Sequence, residues 1–237
     1  MNMYLDIETA CQPWETLPEH RAEYFQEQLE KRIAQDFEGD VEEAWMEIAP
    51  RKPEWGILAC VSYAIGNTGV KCLRWSDWSE QDLDTDDIDF NEETLTQENH
   101  ILKSLEEDLY AQPSVTLVSH NGKGFDWPFL CRKYLQNGLC VPRCLRIHDK
   151  KPWEITHVDT MELMAFGNSF HNKISLENAC HILDVPTPKG GAVKAAEVPR
   201  AFLAGRIKDI AAYCNRDVVA LREVFQKLSE RLGGIGA

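Results

Sequence analysis

The segment that decides the fold is Met3-Tyr-Leu-Asp-Ile-Glu-Thr9, close to the start of the chain. Its apolar and polar residues alternate with the two-residue period of a β-strand. Asp6 and Glu8 therefore point to the same face of the strand. Two carboxylates this close repel each other when buried, unless a cation or a proton intervenes. Two interpretations are open: a strand that holds Mg²⁺ or Mn²⁺ through oxygen ligands, or an edge strand with one solvated face.

The composition is that of a soluble globular protein. The chain has 237 residues, 43% of them hydrophobic and 27% charged, which suits one α/β domain with an added segment. No apolar run has the length of a membrane span, and the start shows no basic stretch followed by an apolar one. We therefore expect no membrane contact and a cytoplasmic location. The eight cysteines have no paired spacing and are expected to be reduced. Cys140, Cys144 and His148, with Cys131 nearby, fit no strong zinc pattern.

The acidic charge is concentrated in two stretches. Residues 12–50 carry a net charge of −8 and residues 77–93 carry −9, so the rest of a chain with net charge −14 carries +3. Metal bound by carboxylates would offset more of the negative charge in that remainder. The acidic composition therefore does not exclude a nucleic acid as partner.

A long helical segment follows the first strand, from residue 18 to residue 49. Apolar residues recur there at three- to five-residue steps, Gly39-Asp40 divides the segment into two helices, and prolines end it. We interpret residues 12–50 as a helical insertion within a single domain, 1–237. It packs either on its own domain as a wall beside the functional site or on a second subunit, and a symmetric homodimer is the favoured prediction. Its apolar stripe contains Tyr24, Leu29, Ile33, Phe37 and Trp45.

Strands and helices alternate along the rest of the chain, which indicates the α/β class. The inward residues of the helix over 92–110 are expected to be Leu95, Ile101, Leu102, Leu105 and Leu109. In chain order we predict a hairpin of strands 55–65 and 70–75, an acidic loop over 77–93, a helix over 92–110, a strand over 115–119, a helix from Asp126, a strand over 155–159, and helices over 160–166, 175–183, 193–203 and 206–231.

Two later motifs bring further carboxylates. The strand over 115–119 runs into His120-Asn-Gly-Lys-Gly-Phe-Asp-Trp-Pro128, which places Asp126 at a strand-to-helix turn. Such turns lie at the carboxyl edge of a sheet, where α/β proteins bind ligands. On the final helix, Tyr213 and Asp217 are four residues apart and lie on one face. Taken alone, these two also fit a core tyrosine and a solvated or capping aspartate.

Together, the motifs resemble those of the DEDD superfamily of 3′–5′ exonucleases, the DnaQ-like branch of the ribonuclease-H-like fold. They are Asp-x-Glu on the first strand, Asn-x₄-Asp after an internal strand and Tyr-x₃-Asp on the last helix, in that order. The tyrosine-type (DEDDy) subgroup is indicated because the other subgroup has a histidine where this chain has Ala212. Ser175-Leu176 and the stretch 210–217 resemble stand-alone exonucleases related to the proofreading domain of family B DNA polymerases. The resemblance covers roughly residues 1–10 and 55–230, and it implies a mixed central sheet flanked by helices.

The resemblance implies a site for two divalent ions, Mg²⁺ or Mn²⁺, as cofactors. The implied ligands are Asp6, Glu8, Asp126 and Asp217. By this similarity Asp6 bridges both ions, Glu8 and Asp217 complete the site that activates water, and Asp126 serves the second ion. Tyr213 orients the nucleophile, and two ions about 3.5–4 Å apart require such a carboxylate cluster.

Three other residues belong to the motifs or follow them directly. Thr9, Asn121 and Phe125 are expected to contact the terminal nucleotide of the substrate. The structural alternatives are a strand-end hydroxyl, a turn side chain and a core aromatic residue. Asp159, which follows a strand but has no place in the motif set, is expected to cap a helix.

The function predicted from these residues is a metal-dependent 3′–5′ exonuclease acting on the 3′ ends of single-stranded DNA. An exoribonuclease is the alternative within catalysis, since the sequence does not show whether a 2′-OH is recognised. A non-catalytic nucleic-acid-binding protein that keeps the fold is disfavoured because all four carboxylates and the tyrosine are present. An unrelated acidic interaction protein has only the helical segment in its favour.

Overall fold

The computed structural model of the protein describes residues 1–33, 39–76, 90–112, 114–148, 150–168 and 172–234. Its central strand, β1, pairs antiparallel with the second strand of the chain and parallel with the fourth. The second and third strands are antiparallel, and the fourth and fifth are parallel, so the predicted mixed sheet is confirmed. Within the described residues the strands are β1 (Asn2–Ala10), β2 (Ile57–Ile65), β3 (Lys71–Arg74), β4 (Thr116–Ser119) and β5 (Val158–Asp159), and their order across the sheet is β3-β2-β1-β4-β5.

Helices flank this sheet and fall close to the predicted positions. Short 3₁₀ turns join several of them, and none of the helices described has the length and apolarity that crossing a membrane requires. In chain order the helices are α1 (Glu19–Ile33), α2 (Val41–Ile48), α3 (Phe90–Tyr110), α4 (Asp126–Gln136), α5 (Thr160–Met164), α6 (Leu176–Leu183), α7 (Val198–Leu203) and α8 (Ile207–Arg231).

The alternation along β1 divides the core between two faces of the sheet. Met3, Leu5 and Ile7 share the largest apolar cluster with residues of α3, α4 and α7. Tyr4 points the other way, and its ring lies 5.7 Å from the ring of Phe225 on α8. Since side chains alternate along a strand, Asp6 and Glu8 lie on the same side as Tyr4. The strand therefore presents its two carboxylates to α8.

Three sequence predictions of local structure need correction. Leu95 is 46% exposed, because the buried face of α3 begins one turn later, at Glu98, where the helix meets α4. The strand predicted over 155–159 contains only its last two residues. Here the Leu117 N–H donates to the His157 Nδ1 at 3.1 Å, so a side chain takes the bond that a longer strand would make. The helix predicted over 193–203 is a 3₁₀ turn, Ala195–Glu197, followed by α7.

The helical segment 12–50 is divided where the sequence predicts. Asp40 caps α2 by accepting from the Glu43 N–H at 2.9 Å, and the Glu43 carboxylate accepts from the Asp40 N–H at 3.3 Å. This reciprocal pair is a capping box, which explains why α2 begins directly after Gly39. Most of the acidic loop predicted over 77–93 lies outside the described residues, as do Phe37 and the side chains of Leu29 and Ile33.

An aromatic cluster fastens this segment to its own chain. Phe25 and Trp45 are each 1% exposed and pack edge to face, with ring centroids 4.7 Å apart. Trp55, which precedes β2, stacks on Phe25 at 4.8 Å, and the Trp45 indole N–H donates to the Gln12 carbonyl at 2.8 Å. Tyr24, which the sequence places in the apolar stripe, is 56% exposed, and the buried residue of this turn is Phe25. The buried aromatic residues of the described part of segment 12–50 therefore pack against residues of the same chain.

A buried ion pair joins the elements behind the sheet. Lys133 Nζ on α4 lies 2.9 Å from Glu98 Oε1 on α3, and both side chains are almost fully buried. The same carboxylate accepts from the Leu58 N–H at 2.8 Å and from Asn137 Nδ2 at 2.9 Å. Lys133 also donates to the Gly56 carbonyl at the start of β2. The network fixes α4 against α3 and β2.

Lys133→Met tests how much this network stabilises the fold. The change leaves the Glu98 carboxylate buried without its cation, so we expect the free energy of unfolding to fall by about 3–5 kcal/mol. Urea denaturation at pH 7 measures it. The matched control is Lys227→Met, which removes an exposed lysine 3.8 Å from Glu230 and should change stability by about 0.5 kcal/mol or less. Equal effects of the two variants would contradict a structural role for the buried pair.

Candidate active site

Two carboxylates of the site project from β1. Asp6 pairs across the sheet with Ser62 and Glu8 with Cys60, both on β2. The register shifts between Glu8 and Thr9, which marks a β-bulge at this point of the ladder. Bulges re-aim side chains and are frequent beside functional sites. Here the bulge lies after Asp6 and Glu8 and before the last two residues of β1, which connect to segment 12–50.

The last helix brings a tyrosine, a cysteine and an aspartate to the same place. Cys214 Sγ lies 3.3 Å from Asp6 Oδ2 and 3.5 Å from the Asp6 carbonyl oxygen. Tyr213 lies close to Asp217, one helical turn away on α8, as the four-residue spacing predicts. The rotation of α8 is fixed by a hydrogen bond of 2.8 Å from Ser62 Oγ to Asn215 Oδ1. Asp217 Oδ1 is buried without a hydrogen-bond partner among the described residues.

The fourth carboxylate, Asp126, is the first residue of α4 and is 3% exposed. The loop before it is held by Asp159, whose carboxylate accepts from the Asn121 N–H at 2.9 Å and the Lys123 N–H at 3.0 Å. The same carboxylate caps α5 by accepting from the backbone of its first turn. Asp159 is therefore the helix cap that the sequence predicts, and it also shapes the loop. Gly122 is required there, since an added Cβ would lie 2.4 Å from the Ser119 Cβ.

A hydrogen-bond relay connects this loop to β1. Trp127, one residue after Asp126, donates its indole N–H to Ser119 Oγ at 3.1 Å. Ser119 Oγ in turn donates to the Leu5 carbonyl at 2.9 Å, directly before Asp6. The second motif is thus fixed to the first through β4. No sequence motif singles out Ser119, because its role depends on strands that are more than a hundred residues apart.

Burial raises the pKa values of all four carboxylates, and neighbouring charges raise those of Asp6 and Glu8 further. Burial, followed by the neighbouring Cys214 and Asp126, raises the pKa of Asp6 well above its usual value. Burial and then the charges of Asp217 and Asp126 raise the pKa of Glu8 in the same way. Burial also raises the pKa of Asp126 to about 7 and that of Asp217 to about 6. The cluster therefore lacks positive charge.

These residues fit a divalent metal ion. Ligand atoms of Asp6, Glu8 and Cys214 lie within 4.8 Å of one another, and no other cluster of this kind is found in the described part of the chain. Burial raises the pKa of the Cys214 thiol, so it stays neutral and the ionised donors are carboxylate oxygens. An all-oxygen set favours Mg²⁺ or Mn²⁺ over zinc. The unpartnered Oδ1 of Asp217 is a further donor.

A cleft of about 750 Å³ opens beside the carboxylates. Thr9 and Phe125, two of the three predicted substrate contacts, line it together with Glu8. Asn121 does not line it and has the left-handed backbone of a turn residue, with φ of 68°. The other lining residues, none of which the sequence singled out, come from α2 and its C-terminal end and from the region of α7: Glu43, Met46, Glu47, Pro50, Arg51, Ala195, Ala196, Pro199 and Arg200.

The structure thus assembles Asp6, Glu8, Asp126, Tyr213 and Asp217 in one place. The weak zinc pattern of the sequence does not assemble: among the described residues Cys140 and His148 join no cluster, and all eight cysteines are free. Sequence reasoning missed Cys214. Its only signal was its position between the tyrosine and the aspartate, three residues before the latter.

Comparison with known proteins identifies the family. No curated protein sequence matches the chain. Residues 69–235, more than two thirds of the chain, match a family model described as "Predicted 3'-5' exonuclease related to the exonuclease domain of PolB". The match includes Asp126, Tyr213 and Asp217, whereas β1 and segment 12–50 precede it. The chain belongs to this family of predicted 3′–5′ exonucleases related to the PolB exonuclease domain.

Proposed function

We propose that the protein is a metal-dependent 3′–5′ exonuclease that hydrolyses phosphodiester bonds from the 3′ end of single-stranded DNA. The observation that carries this proposal is the meeting of four carboxylates and one tyrosine from three elements beside an open cleft, in a chain of an exonuclease family. Each motif alone also fits a structural role. Their convergence on one partly buried site does not, because unbalanced buried carboxylates destabilise a fold that makes no use of them.

The roles follow from where each group lies. Asp6, Glu8, Asp126 and Asp217 would hold two divalent ions, Mg²⁺ or Mn²⁺, and Asp6 lies centrally in the set, near the charges of the other three. Such ions make water a nucleophile at neutral pH and offset charge on the phosphate oxygens. Burial first, and then the nearby carboxylates, raise the pKa of Tyr213 well above its usual value. Its neutral hydroxyl can therefore donate to Asp217 and accept from the attacking water.

The fold supports the same proposal at a coarser level. A mixed sheet with an antiparallel hairpin on one side of β1 and parallel strands on the other is consistent with the ribonuclease-H-like, tyrosine-type arrangement. We propose a single catalytic domain, 1–237, in which segment 12–50 is an insertion.

Digestion of end-labelled oligonucleotides tests the activity directly. We expect single-stranded DNA carrying a 5′ label to be shortened stepwise from its 3′ end with Mg²⁺ or Mn²⁺, and to stay intact in EDTA. The control variant is Asp6→Asn, which should abolish digestion without unfolding the protein. Faster digestion of RNA of the same sequence would assign the activity to RNA, and activity in EDTA would contradict the metal site.

Tyr213→Phe isolates the hydroxyl, since the ring and its packing remain. We expect turnover on single-stranded DNA to fall by about 10–10³-fold, the effect of losing one positioned catalytic group. Single-turnover kinetics with saturating enzyme measures the chemical step. The matched control is Tyr4→Phe, on the same face of the sheet but packed against Phe225. Equal rates for wild type and Tyr213→Phe would show that Tyr213 has only a packing role.

The pH dependence of stability tests the carboxylate cluster without substrate. Burial raises the pKa of Asp126 to about 7 and that of Asp217 to about 6. Between the unfolded pKa values, about 4, and these folded values, the folded metal-free protein binds more protons than the unfolded chain. Its free energy of unfolding therefore falls as pH rises through this window.

In EDTA, Tm should thus drop between pH 5 and pH 8 more steeply for wild type than for Asp126→Asn, which lacks one of these groups. Adding Mg²⁺ at pH 8 should raise the Tm of the wild type more than that of the variant. Comparing the two proteins cancels groups that both retain, such as His120 and His157. Identical pH slopes would show that burial does not raise the pKa of Asp126 in the folded protein.

Self-association through segment 12–50 stays a separate prediction. Phe25 and Trp45 are buried within the chain itself. Among the described aromatic residues of the stripe, Tyr24 is exposed and could contact a partner. Sedimentation of the intact protein at micromolar concentration measures the oligomeric state. The variant Tyr24→Ser, which removes the exposed ring, should weaken the dimer. A monomeric wild type would contradict the homodimer.

A further inference from the structure

The cleft beside the carboxylates has one wall that lies outside the family match. This wall is α2, which contributes Glu43, Met46 and Glu47. Glu8 and Thr9 line the same cleft, so α2 shares this cleft with one carboxylate of the site. The wall belongs to segment 12–50, for which the proposed function assigns no role. Because α2 lines the cleft, a substrate that enters the cleft would contact this helix.

The wall is held rigidly at its base. Trp45 lies between two wall residues in the sequence and is 1% exposed, with its indole N–H bonded to the Gln12 carbonyl. Met46 Sδ accepts a contact from Cys11 Sγ at 3.6 Å, directly after β1. The capping box at Asp40 fixes the other end of the helix. The side chains of α2 that line the cleft are therefore presented from a fixed backbone.

The charges around the cleft are divided between its two sides. On the α2 side, Glu43 and Glu47 are exposed, and Glu47 Oε1 lies 3.3 Å from Arg51, one turn later. On the α7 side, Arg200 is exposed and forms no ion pair with the carboxylates described by the structure. The α2 side thus has two carboxylates against the one guanidinium of Arg51, whereas the α7 side has the cation Arg200, so a phosphate backbone is attracted more strongly to the α7 side.

We propose that α2 is a strand-excluding wall that restricts the site to unpaired 3′ ends. The scissile strand runs along the α7 side, where Arg200 contacts its phosphates, and Met46 offers an apolar surface to a base. A second, paired strand would bring its phosphates against Glu43 and Glu47. The cleft volume of about 750 Å³ is within the range of a site for one small ligand, about 300–1,000 Å³. This inference rests on the proposed function, because it concerns the same cleft.

The test removes the charge of the wall and keeps its shape. The double variant Glu43→Gln, Glu47→Gln replaces both carboxylates by amides of nearly equal size, and glutamine still completes a capping box. The matched control is Glu23→Gln, Glu42→Gln. These two glutamates are exposed in the same segment, and neither lines the cleft. Both double variants change the net charge by the same amount.

Binding is measured first, without any need for catalysis. Fluorescence anisotropy in EDTA gives Kd for a labelled single strand and for a blunt duplex of the same sequence. We expect the wall variant to reduce the preference for the single strand by about fivefold or more, because like charges across an interface act mainly on specificity. The control should keep the wild-type preference. The difference should shrink when salt rises from roughly 0.05 M to 0.5 M, since exposed charges are screened.

Digestion is measured second, as the ratio of kcat/KM values for the single strand and the duplex with Mg²⁺. The same fall in the ratio, confined to the wall variant, supports the proposal. An unchanged ratio in both assays, or equal changes in the wall and control variants, overturns it. A wild type that binds single strands selectively but digests nothing would contradict the proposed exonuclease while leaving the binding test of the wall valid.

Discussion

Electrostatic repulsion among four carboxylates is the constraint on which the rest of this structure depends. Asp126 and Asp217 are almost fully buried, and Asp6 and Glu8 are partly buried beside them. Burial raises the pKa of Asp217, and Tyr213 and then the Arg216 guanidinium act against this rise. Four carboxylates stay this close only when the rest of the fold holds them in place despite their repulsion. A divalent ion would supply the positive charge that reduces this repulsion.

The scaffold holds them by hydrogen bonds made outside the cluster. Asp159 fixes the loop before Asp126, Ser119 connects that loop to the backbone of β1, and the bond from Ser62 to Asn215 sets the rotation of α8. Each of these bonds fixes an element without using an oxygen of the four carboxylates. That division is useful for catalysis, because a metal ligand already satisfied by the protein would have to lose a hydrogen bond before binding.

Periodicity and spacing carry the predictable part of this arrangement. The two-residue period places Asp6 and Glu8 on one face, and the four-residue step pairs Tyr213 with Asp217, because both are properties of a single element. The contact of Cys214 with Asp6 spans most of the chain, so no local pattern encodes it. The exposure of Leu95 likewise depends on where α4 meets α3, and tertiary packing decides this rather than amphipathic spacing.

The same reasoning explains why the sequence predicts the helices of segment 12–50 but leaves open whether they form a wall beside the site or pack on a second subunit. The sequence fixes where α2 begins, through Asp40, but its apolar spacing does not say which surface the helix covers. The answer lies in β1: the strand that carries Glu8 passes through a bulge and leads within a few residues to Gln12, the acceptor for the Trp45 indole. One continuous stretch thus supplies two carboxylates of the cluster and the anchor of the wall.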